Sequence, residues 1–335
     1  MSAPRIVLLD SFAIDQGELQ AESQAAVDVA WRELAALGEL TVHPRTESGQ
    51  VVERAGSDTL AVLTNKVPLG AAELSALPAL RYIGVTATGT DIIDLEAARA
   101  RGIAVTNVPG YATESVAELV FALILHFSFD VAGHNGAVKA GGWAASPDFC
   151  FFRQPLVELA GKTLVLVGAG AIGGAVARIG EAFGMRVVRA AVPGAPARAG
   201  EARVPLAEAL PLADFVSLHC PLTAATRGLV GAGFLAAMKP GAILINTGRG
   251  ALVDDAALAA ALAGGHLGGA GLDVLAAEPP PPDHPLTDPH APWAGRVVVT
   301  PHIGWGTVES RRRLVTEVAR NLAAFLQGQP RNRVV

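Results

Sequence analysis

The sequence predicts an α/β protein built on parallel sheets, and three observations support that fold class. Short apolar runs of strand length alternate with helical stretches along most of the chain. One of these runs leads through a glycine-rich turn straight into a helix. Polar and charged residues follow several later runs, which is where a parallel sheet carries its functional groups.

The composition is that of a compact globular chain whose 335 residues suggest about two domains. With 51% hydrophobic residues and a net charge of −5, it has no basic field for nucleic acid or an anionic membrane. Cys150 and Cys220 lack metal-ligand spacing, so we expect a reducing cytoplasm and no structural metal. The most apolar helix, Val116 to Phe129, falls short of a membrane span, and a soluble protein is expected.

The first hundred residues are predicted to form one α/β unit. Its strands are expected at Ile6–Asp10, Leu40–Val42, Ala61–Thr64, Arg81–Val85 and Ile103–Thr106, and its helices include Glu18–Leu37, Gly70–Leu77 and Asp94–Arg101. A long apolar helix from Tyr111 to Phe129 follows. The glycine-rich polar stretch Gly133–Phe152 comes next and is interpreted as a loop, either an arm around a partner or flexible surface.

The second half is predicted to hold a doubly wound sheet, with its ligand at the carboxyl ends of the strands. The six strands are expected at Thr163–Val167, Arg186–Arg189, Phe215–Leu218, Ala242–Asn246, Gly269–Leu272 and Val297–Thr300. An amphipathic helix from Val308 to Gln327 ends the chain. Its run Arg311–Arg313 is interpreted as a solvated helix face.

A dinucleotide site is predicted at the turn that follows Thr163–Val167. The turn matches G-x-G-x-x-G with Gly168, Gly170 and Gly173. Gly168 permits the tight turn, Gly170 leaves room for a pyrophosphate, and Gly173 lets the helix pack closely on the strand. The first N–H groups of that helix have no partners within it and can hold a diphosphate.

Three charged side chains follow later strands of the same sheet: Arg249, Glu278 and His302. A guanidinium grips a carboxylate in a two-pronged fork, and a histidine exchanges protons near neutral pH. A carboxylate beside the histidine stabilises its protonated form. Each residue alone has an ordinary surface or loop interpretation, but together they suit hydride transfer to a 2-oxo acid.

These features resemble the D-isomer-specific 2-hydroxyacid dehydrogenase family over nearly the whole chain, with glycerate dehydrogenase (hydroxypyruvate reductase) as the most similar branch. The stretches similar to that branch are Thr64–Leu69, Ala87–Thr90, Asn107–Tyr111, Gly265–Pro279 and Pro330–Val334. The resemblance implies an NAD(P)-dependent oxidoreductase acting on CH–OH groups. It would reduce hydroxypyruvate, and glyoxylate, to D-glycerate and glycolate.

The resemblance also implies individual roles: Arg249 binds substrate, His302 is the acid/base and Glu278 is its partner. Backbone N–H groups of the loop Thr86–Thr90 would hold the substrate carboxylate, at Ala87, Thr88 and Gly89. The further cofactor contacts it implies are Ala171, Ile172, Ala191, Cys220, Pro221, Thr226, Thr247, Gly248, Asp273 and Gly304. Asp273 would orient the nicotinamide carboxamide, unless it only caps a helix, and Thr226 could be an ordinary loop hydroxyl.

Two doubly wound parallel-sheet domains are implied, of which the substrate domain is discontinuous (residues 1–106 and 303–335). Residues 107–302 would form an inserted Rossmann dinucleotide-binding domain, with a dimerisation helix and arm at residues 111–152. A homodimer is expected, with Trp143 reaching the partner's active site. Closure of the cleft between the domains would bring Arg249 and His302 to the substrate.

The choice of cofactor departs from the NAD pattern. NAD enzymes carry an acidic residue about twenty positions beyond the glycine turn, and here that place falls at Ala191. Without a carboxylate, nothing there repels a 2′-phosphate. The neighbouring loop offers no obvious phosphate clamp, since Arg189 is expected to point along its strand and Arg198 is distant. NAD(H) or NADP(H) is therefore expected, with a slight preference for NADP(H).

Two other functions stay open. The first is another dehydrogenase of the family, acting on phosphite or D-lactate, because loop shape decides the substrate. The second is a non-catalytic, nucleotide-sensing corepressor. The complete set of Arg249, Glu278 and His302 argues against the corepressor.

Overall fold

The computed structural model describes residues 3–15, 28, 30–196 and 202–335. The chain forms two compact units: unit 1, Met1–Ala112 with Trp305–Val335, and unit 2, Thr113–Gly304. Each unit is built on a parallel sheet, which confirms the predicted α/β class with a discontinuous first domain. The expected boundaries, after residues 106 and 302, lie near these divisions.

In the described part of unit 1, a five-stranded sheet has the order β2-β1-β3-β4-β5, with every pair parallel. The strands are β1 (Arg5–Leu8), β2 (Glu39–Val42), β3 (Ala61–Thr64), β4 (Tyr82–Val85) and β5 (Ala104–Thr106). The helices are α1 (Phe12–Asp15), α2 (Val51–Ala55), α3 (Ala71–Ala76), α4 (Leu95–Ala100) and the C-terminal helix (Val308–Leu326). Most of the helix predicted at Glu18–Leu37 lies outside the described residues, although residues 30–35 are helical.

The prediction that Arg311–Arg313 form a solvated face of the C-terminal helix was wrong. Arg311 is only 3% exposed, and its Nη1 donates to the carbonyl of Ile14 at 2.8 Å, so Arg311–Arg313 is not simply a solvated face. Each residue turns about 100° around a helix, so three consecutive arginines cannot all face water when one side of the helix is covered. That side packs on the sheet of unit 1, where the rings of Phe325 and Tyr82 lie 4.9 Å apart.

The six-stranded sheet of unit 2 has the order β11-β10-β9-β8-β6-β7, again all parallel. Its strands are β6 (Thr163–Val167), β7 (Arg186–Ala190), β8 (Phe215–Leu218), β9 (Ile243–Asn246), β10 (Gly269–Leu272) and β11 (Val297–Val299). Its helices are α5 (Thr113–Phe129), α6 (Val131–Lys139), α7 (Ala171–Ala182), α8 (Leu206–Ala209), α9 (Ala232–Ala237) and α10 (Asp255–Ala263). The six strands were predicted to within one residue at each end.

The order of these strands creates a switch point beside β6. From β6 the chain adds β7 on one side, and an isolated parallel bridge from Ala190 to Val204 extends that side further. The chain then returns to pair β8 with the opposite edge of β6. A doubly wound sheet binds its ligand in the crevice at the carboxyl ends of such strands.

The stretch predicted as a loop from Gly133 to Phe152 begins with a helix, α6, so that prediction was wrong for residues 133–139. Glycines lower helix propensity, which favoured the loop interpretation. The helix is capped at its start because the Asp130 side chain accepts the N–H of Gly133 at 3.1 Å. Arg153 holds the same carboxylate at 3.0 Å, which ties the end of the arm back to the cap.

No single helix in the described ranges is long and apolar enough to cross a membrane. Helices α5 and α6, which meet at a bend of 53°, are long and apolar enough only when they are taken together. In those same ranges, no three His, Cys, Asp or Glu residues cluster as metal ligands would.

Candidate active site

The glycine-rich turn after β6 has the geometry that a bound diphosphate requires. Gly168 has a φ of 110°, in the region that side chains rarely adopt. A Cβ at Gly173 would lie 2.2 Å from the carbonyl oxygen of Gly168, so α7 packs on the turn too closely for any side chain. A Cβ at Gly170 would meet nothing within 4 Å. Gly170 therefore borders open space, next to the first N–H groups of α7.

The surroundings of this turn fit a dinucleotide. Ala171 is exposed and Ile172 half-buried at the start of α7. The hydroxyl of Thr247, just after β9, is buried without a hydrogen-bond partner among the described residues. An unpaired buried polar group costs about 1–3 kcal/mol, which a polar ligand at that place would recover. The open cradle at Gly170 and the unpaired hydroxyl of Thr247 both favour a bound polar cofactor.

The ends of β6 and β8 touch at the switch point. A Cβ at Gly168 would stand 2.5 Å from the backbone nitrogen of Cys220, so these two loops approach backbone to backbone. Burial lowers the pKa of His219 to about 4, although part of the residue stays accessible, and the imidazole is neutral near pH 7. Its Nε2 lies 2.9 Å from the hydroxyl of Ser217. Burial raises the pKa of the Cys220 thiol, which disfavours the thiolate beside the crevice.

The other residues predicted for the adenosine side lie at the ends of β7 and β8. Ala191 follows β7 directly, and its N–H donates to the carbonyl of Val204 at 2.8 Å. Arg189 turns towards α7, where it lies 3.8 Å from Glu181. The hydroxyl of Thr226 is buried and donates to the carbonyl of Pro221 at 2.7 Å, so it shapes the loop after β8.

Asn246 shapes the loop that carries Arg249. From the end of β9, its Nδ2 donates to the carbonyl of Arg249 at 3.0 Å and its Oδ1 accepts the N–H of Gly248 at 3.1 Å. The Arg249 guanidinium also donates to the carbonyl of Gly248 at 3.0 Å. The half-buried arginine is thus held at the strand end by its own loop.

A close backbone contact brings the Arg249 loop to the chain segment that carries Glu278. A Cβ at Gly250 would lie 1.9 Å from the carbonyl of Leu275. The N–H of Leu275 donates to Glu278 Oε1 at 3.1 Å. The loops that follow β9 and β10 are therefore packed against each other where these two charged residues emerge.

Glu278 and His302 form the predicted pair, with Glu278 Oε2 lying 2.6 Å from His302 Nδ1. An ionised carboxylate only accepts hydrogen bonds, so Nδ1 carries the hydrogen of this bond and Nε2 is left to exchange a proton. The side chains of His302 and Glu278 are 29% and 34% exposed, so a substrate can reach them.

Asp273 holds the turn that carries His302. The histidine has a φ of 55°, which is uncommon for a residue with a side chain, and its N–H donates to the carbonyl of Asp273 at 2.9 Å. The Asp273 carboxylate accepts the Thr300 hydroxyl at 2.5 Å and the N–H groups of Ile303 and Gly304, each at 2.9 Å. The helix-cap alternative for Asp273 was therefore wrong, and its contact with the nicotinamide stays a prediction.

The loop Thr86–Thr90 belongs to unit 1, where it follows β4. The Asp10 carboxylate accepts the N–H of Asn65 at 2.7 Å, and Asn65 Nδ2 donates to the carbonyl of Thr86 at 2.6 Å. Within the described chain, the backbone N–H groups of residues 87–89 donate no hydrogen bond. The chain of hydrogen bonds from Asp10 through Asn65 thus holds the start of this loop. The N–H groups of residues 87–89 are available as donors.

A cavity of about 490 Å³ lies at the opposite end of the unit 2 sheet, among the amino ends of its strands. Lys162, Asp214 and Lys239 line it, and Lys239 pairs with Asp214 at 2.6 Å. Open α/β sheets bind their ligands at the carboxyl ends. This cavity is therefore separate from the candidate active site.

Comparison with known proteins identifies the family. The model of "D-isomer specific 2-hydroxyacid dehydrogenase, NAD binding domain" matches residues 121–304. A hydroxypyruvate reductase from Blautia hydrogenotrophica is 38% identical over 333 residues, 98% of each chain. A glycerate dehydrogenase from Methylorubrum extorquens is 41% identical over 283 residues, 84% of this chain and 87% of that one. The chain belongs to the D-isomer specific 2-hydroxyacid dehydrogenase family.

A solved structure agrees with this assignment over the full length. It is an NADPH-dependent glyoxylate/hydroxypyruvate reductase from Sinorhizobium meliloti, in complex with NADP and malonate. Its TM-score is 0.80 at 31% identity, and the match covers 100% of this chain and 97% of that one. The predicted family, fold class and class of enzyme, an NAD(P)-dependent oxidoreductase, are thereby confirmed.

Sequence reasoning assigned no role to two residues that build the site, Asn246 and Gly250. An amide at a strand end, three residues before an arginine, was one available signal for the first. A glycine directly after that arginine was the only signal for the second. Neither signal reveals the close contact with Leu275 that makes Gly250 necessary.

Proposed function

We propose that the protein reduces hydroxypyruvate and glyoxylate to D-glycerate and glycolate, with NADH or NADPH as the hydride donor. The observation that carries the proposal is the 2.6 Å bond between His302 and Glu278, at the same sheet edge as Arg249 and the glycine turn. The printed names of the similar proteins support these two substrates.

When bound, a reduced nicotinamide supplies a hydride to the carbonyl carbon of the substrate. Arg249 holds the carboxylate in its fork, and His302 gives the Nε2 proton to the carbonyl oxygen. Glu278 stabilises the imidazolium before transfer, and Asp273 keeps the ring in place through its turn. The N–H groups of residues 87–89 remain a proposed set of substrate-binding donors.

The direct test is a spectrophotometric assay of NADH and NADPH oxidation with hydroxypyruvate, glyoxylate and pyruvate. We expect the largest kcat/KM with hydroxypyruvate and a smaller one with glyoxylate. Chiral analysis should identify the product of hydroxypyruvate as D-glycerate. If no 2-oxo acid supported cofactor oxidation, the proposal would be wrong.

Replacing Glu278 by glutamine keeps the shape of the side chain but removes the charge that stabilises protonated His302. We expect kcat/KM for hydroxypyruvate reduction to fall about tenfold at neutral pH. Because the protonated ring is the acid, activity should also decline at a lower pH than in the unsubstituted enzyme. The kcat/KM for D-glycerate oxidation, which uses the neutral ring as base, should fall by a smaller factor.

Profiles of both directions between about pH 5 and 9 measure this effect, with the exposed Glu208→Gln variant as control. Parallel profiles for Glu278→Gln and the unsubstituted enzyme would contradict the role of Glu278.

We propose a slight preference for NADP(H), supported by Ala191 where NAD enzymes carry an acid. The preference is small because Arg189 is drawn towards Glu181. An Ala191→Asp variant should shift the NADH to NADPH ratio of kcat/KM about tenfold or more towards NADH, since a carboxylate repels the 2′-phosphate. The exposed Ala207→Asp serves as control. A tenfold preference for NADH before substitution would contradict this proposal.

We also propose a cytoplasmic homodimer that forms through the helix and arm at residues 111–152. Large apolar side chains are exposed on this stretch, including Val131 at 71%, Trp143 at 53% and Phe149 at 89%. The Trp143 indole donates to the carbonyl of Phe149 at 3.0 Å, which links these two residues of the arm. Two free cysteines, Cys150 and Cys220, support a reducing compartment. Analytical ultracentrifugation tests the dimer.

A further inference from the structure

The segment that carries Glu278 is exposed but anchored at both ends. Residues 276–283, which we call the strap, are exposed throughout. Leu275 before them is buried, and His284 and Leu286 after them are 7% and 4% exposed. Leu286 belongs to the core of unit 2. The strap is thus a short bridge between two buried points, with Glu278 near its first end.

His284 attaches the far end of the strap to α10. Its Nε2 lies 3.0 Å from Oδ2 of Asp255, the first residue of that helix, and the two side chains are 8% and 16% exposed. Its Nδ1 accepts the N–H of Leu286 at 3.3 Å. A ring nitrogen that accepts carries no hydrogen, so Nε2 donates to Asp255. The imidazole therefore links the strap to α10 on one side and to the core segment on the other.

The strap transmits the position of this anchor to Glu278. Four consecutive prolines, Pro279–Pro282, follow Glu278 directly, and each fixes its own φ. A stiff segment cannot absorb a shift at His284 by local rotation. The His284 backbone adds to the anchor, since its N–H donates to the carbonyl of Pro281 at 3.1 Å and its carbonyl accepts the N–H of Thr287 at 3.0 Å.

Two carboxylates act on the catalytic histidine, and only one depends on the strap. Asp273 reaches the turn of His302 from the end of β10, which is part of the sheet. Glu278 reaches the ring from the strap. At the anchor, Asp255 is the first residue of α10, and the side chain of Asp254 before it caps that helix.

We propose that His284 is a positioning residue for the reaction, which holds the strap so that Glu278 stays within hydrogen-bond distance of His302. The inference rests on the proposed roles of Glu278 and His302. An attraction between charges weakens as they separate, so a freed strap stabilises the imidazolium less. His284 is not among the residues proposed to bind substrate or cofactor, so we expect those contacts to be unchanged.

The test compares H284A, H284Q, E278Q and the double variant H284A/E278Q. We expect H284A to lower kcat for hydroxypyruvate about three- to tenfold and to move the pH profile in the same direction as E278Q, with KM changed less than about twofold. H284Q keeps a donor for Asp255 and should recover most of the loss. In the E278Q background, H284A should add little, because the residue it positions has already lost its charge.

Independent, additive losses in the double variant, or a pH profile of H284A that matches the unsubstituted enzyme, would overturn the proposal. If H284A does not fold, as judged by its thermal transition, the D255N variant takes its place in the same series. D255N removes the negative charge that His284 contacts at the anchor.

NMR spectra of the His302 ring nitrogens, recorded at one pH in protein with labelled histidine, report on this bond without turnover. The signal is assigned among the eight histidines by its loss in H302Q. The His302 ring signals should move in H284A in the same direction as in E278Q, because both variants weaken the bond between Nδ1 and Glu278, and unchanged signals in H284A would overturn the proposal. An enzyme inactive on every 2-oxo acid would instead refute the proposed function, while these spectra would still report on the strap.

Discussion

Replacing His302 by alanine is expected to lower kcat for hydroxypyruvate reduction by about 10²- to 10⁴-fold, since a positioned general acid contributes that much. The dissociation constant of NADPH should change by less than about twofold, because the ring belongs to the reaction rather than to the dinucleotide turn. The surrounding turn should survive, since Asp273 holds it through the N–H groups of Ile303 and Gly304. Steady-state kinetics and a fluorescence titration of NADPH measure the two quantities.

The matched control is His290→Ala, which removes an exposed histidine from the same unit. It should leave both quantities unchanged. Equal losses of kcat and of NADPH affinity in His302→Ala would mean that the histidine supports cofactor binding, and its assignment as the acid would then fail.

Replacing Arg249 by lysine is expected to lower kcat/KM for hydroxypyruvate by about 10²-fold, although the charge is kept. Lysine is a point charge and cannot form the two parallel bonds of a guanidinium with a carboxylate. It also loses the bond from the guanidinium to the carbonyl of Gly248, which steadies the side chain. Most of the effect should fall on KM of the 2-oxo acid, with the KM of NADPH little changed.

Steady-state kinetics with each substrate varied in turn separate these effects. Arg186→Lys, at an exposed arginine on the amino end of β7, provides a control that should behave like the unsubstituted enzyme. A normal KM for hydroxypyruvate in Arg249→Lys would show that another group binds the carboxylate.

The strands and the glycine turn were predictable because their signals are local. A strand buried on both faces is mostly apolar, and β6 is buried at all five positions, with apolar residues at the last four. The turn after it needs glycine for reasons within a few residues, namely the φ of Gly168 and the contact of Gly173 with its carbonyl. Signals of this kind survive in a single sequence.

Two of the wrong predictions, at Arg311 and at helix α6, failed because the deciding contacts are not local. Arg311 is buried because the C-terminal helix packs on the sheet of unit 1, and composition alone reports a run of three charges. Helix α6 forms despite its glycines because Asp130 caps it and Arg153, distant in sequence, holds that cap. Tertiary contacts override local propensity in both places.

The sequence by itself determined the α/β class, the pyrophosphate turn and the identity of the three charged groups. The tertiary structure alone decided that Glu278 meets His302 at 2.6 Å, that Gly250 packs on Leu275, and that Asp273 holds the histidine turn. The physical reason is the distance along the chain over which each kind of interaction acts. Propensity and periodicity describe what each segment becomes, whereas contacts between distant loops depend on which strands lie side by side.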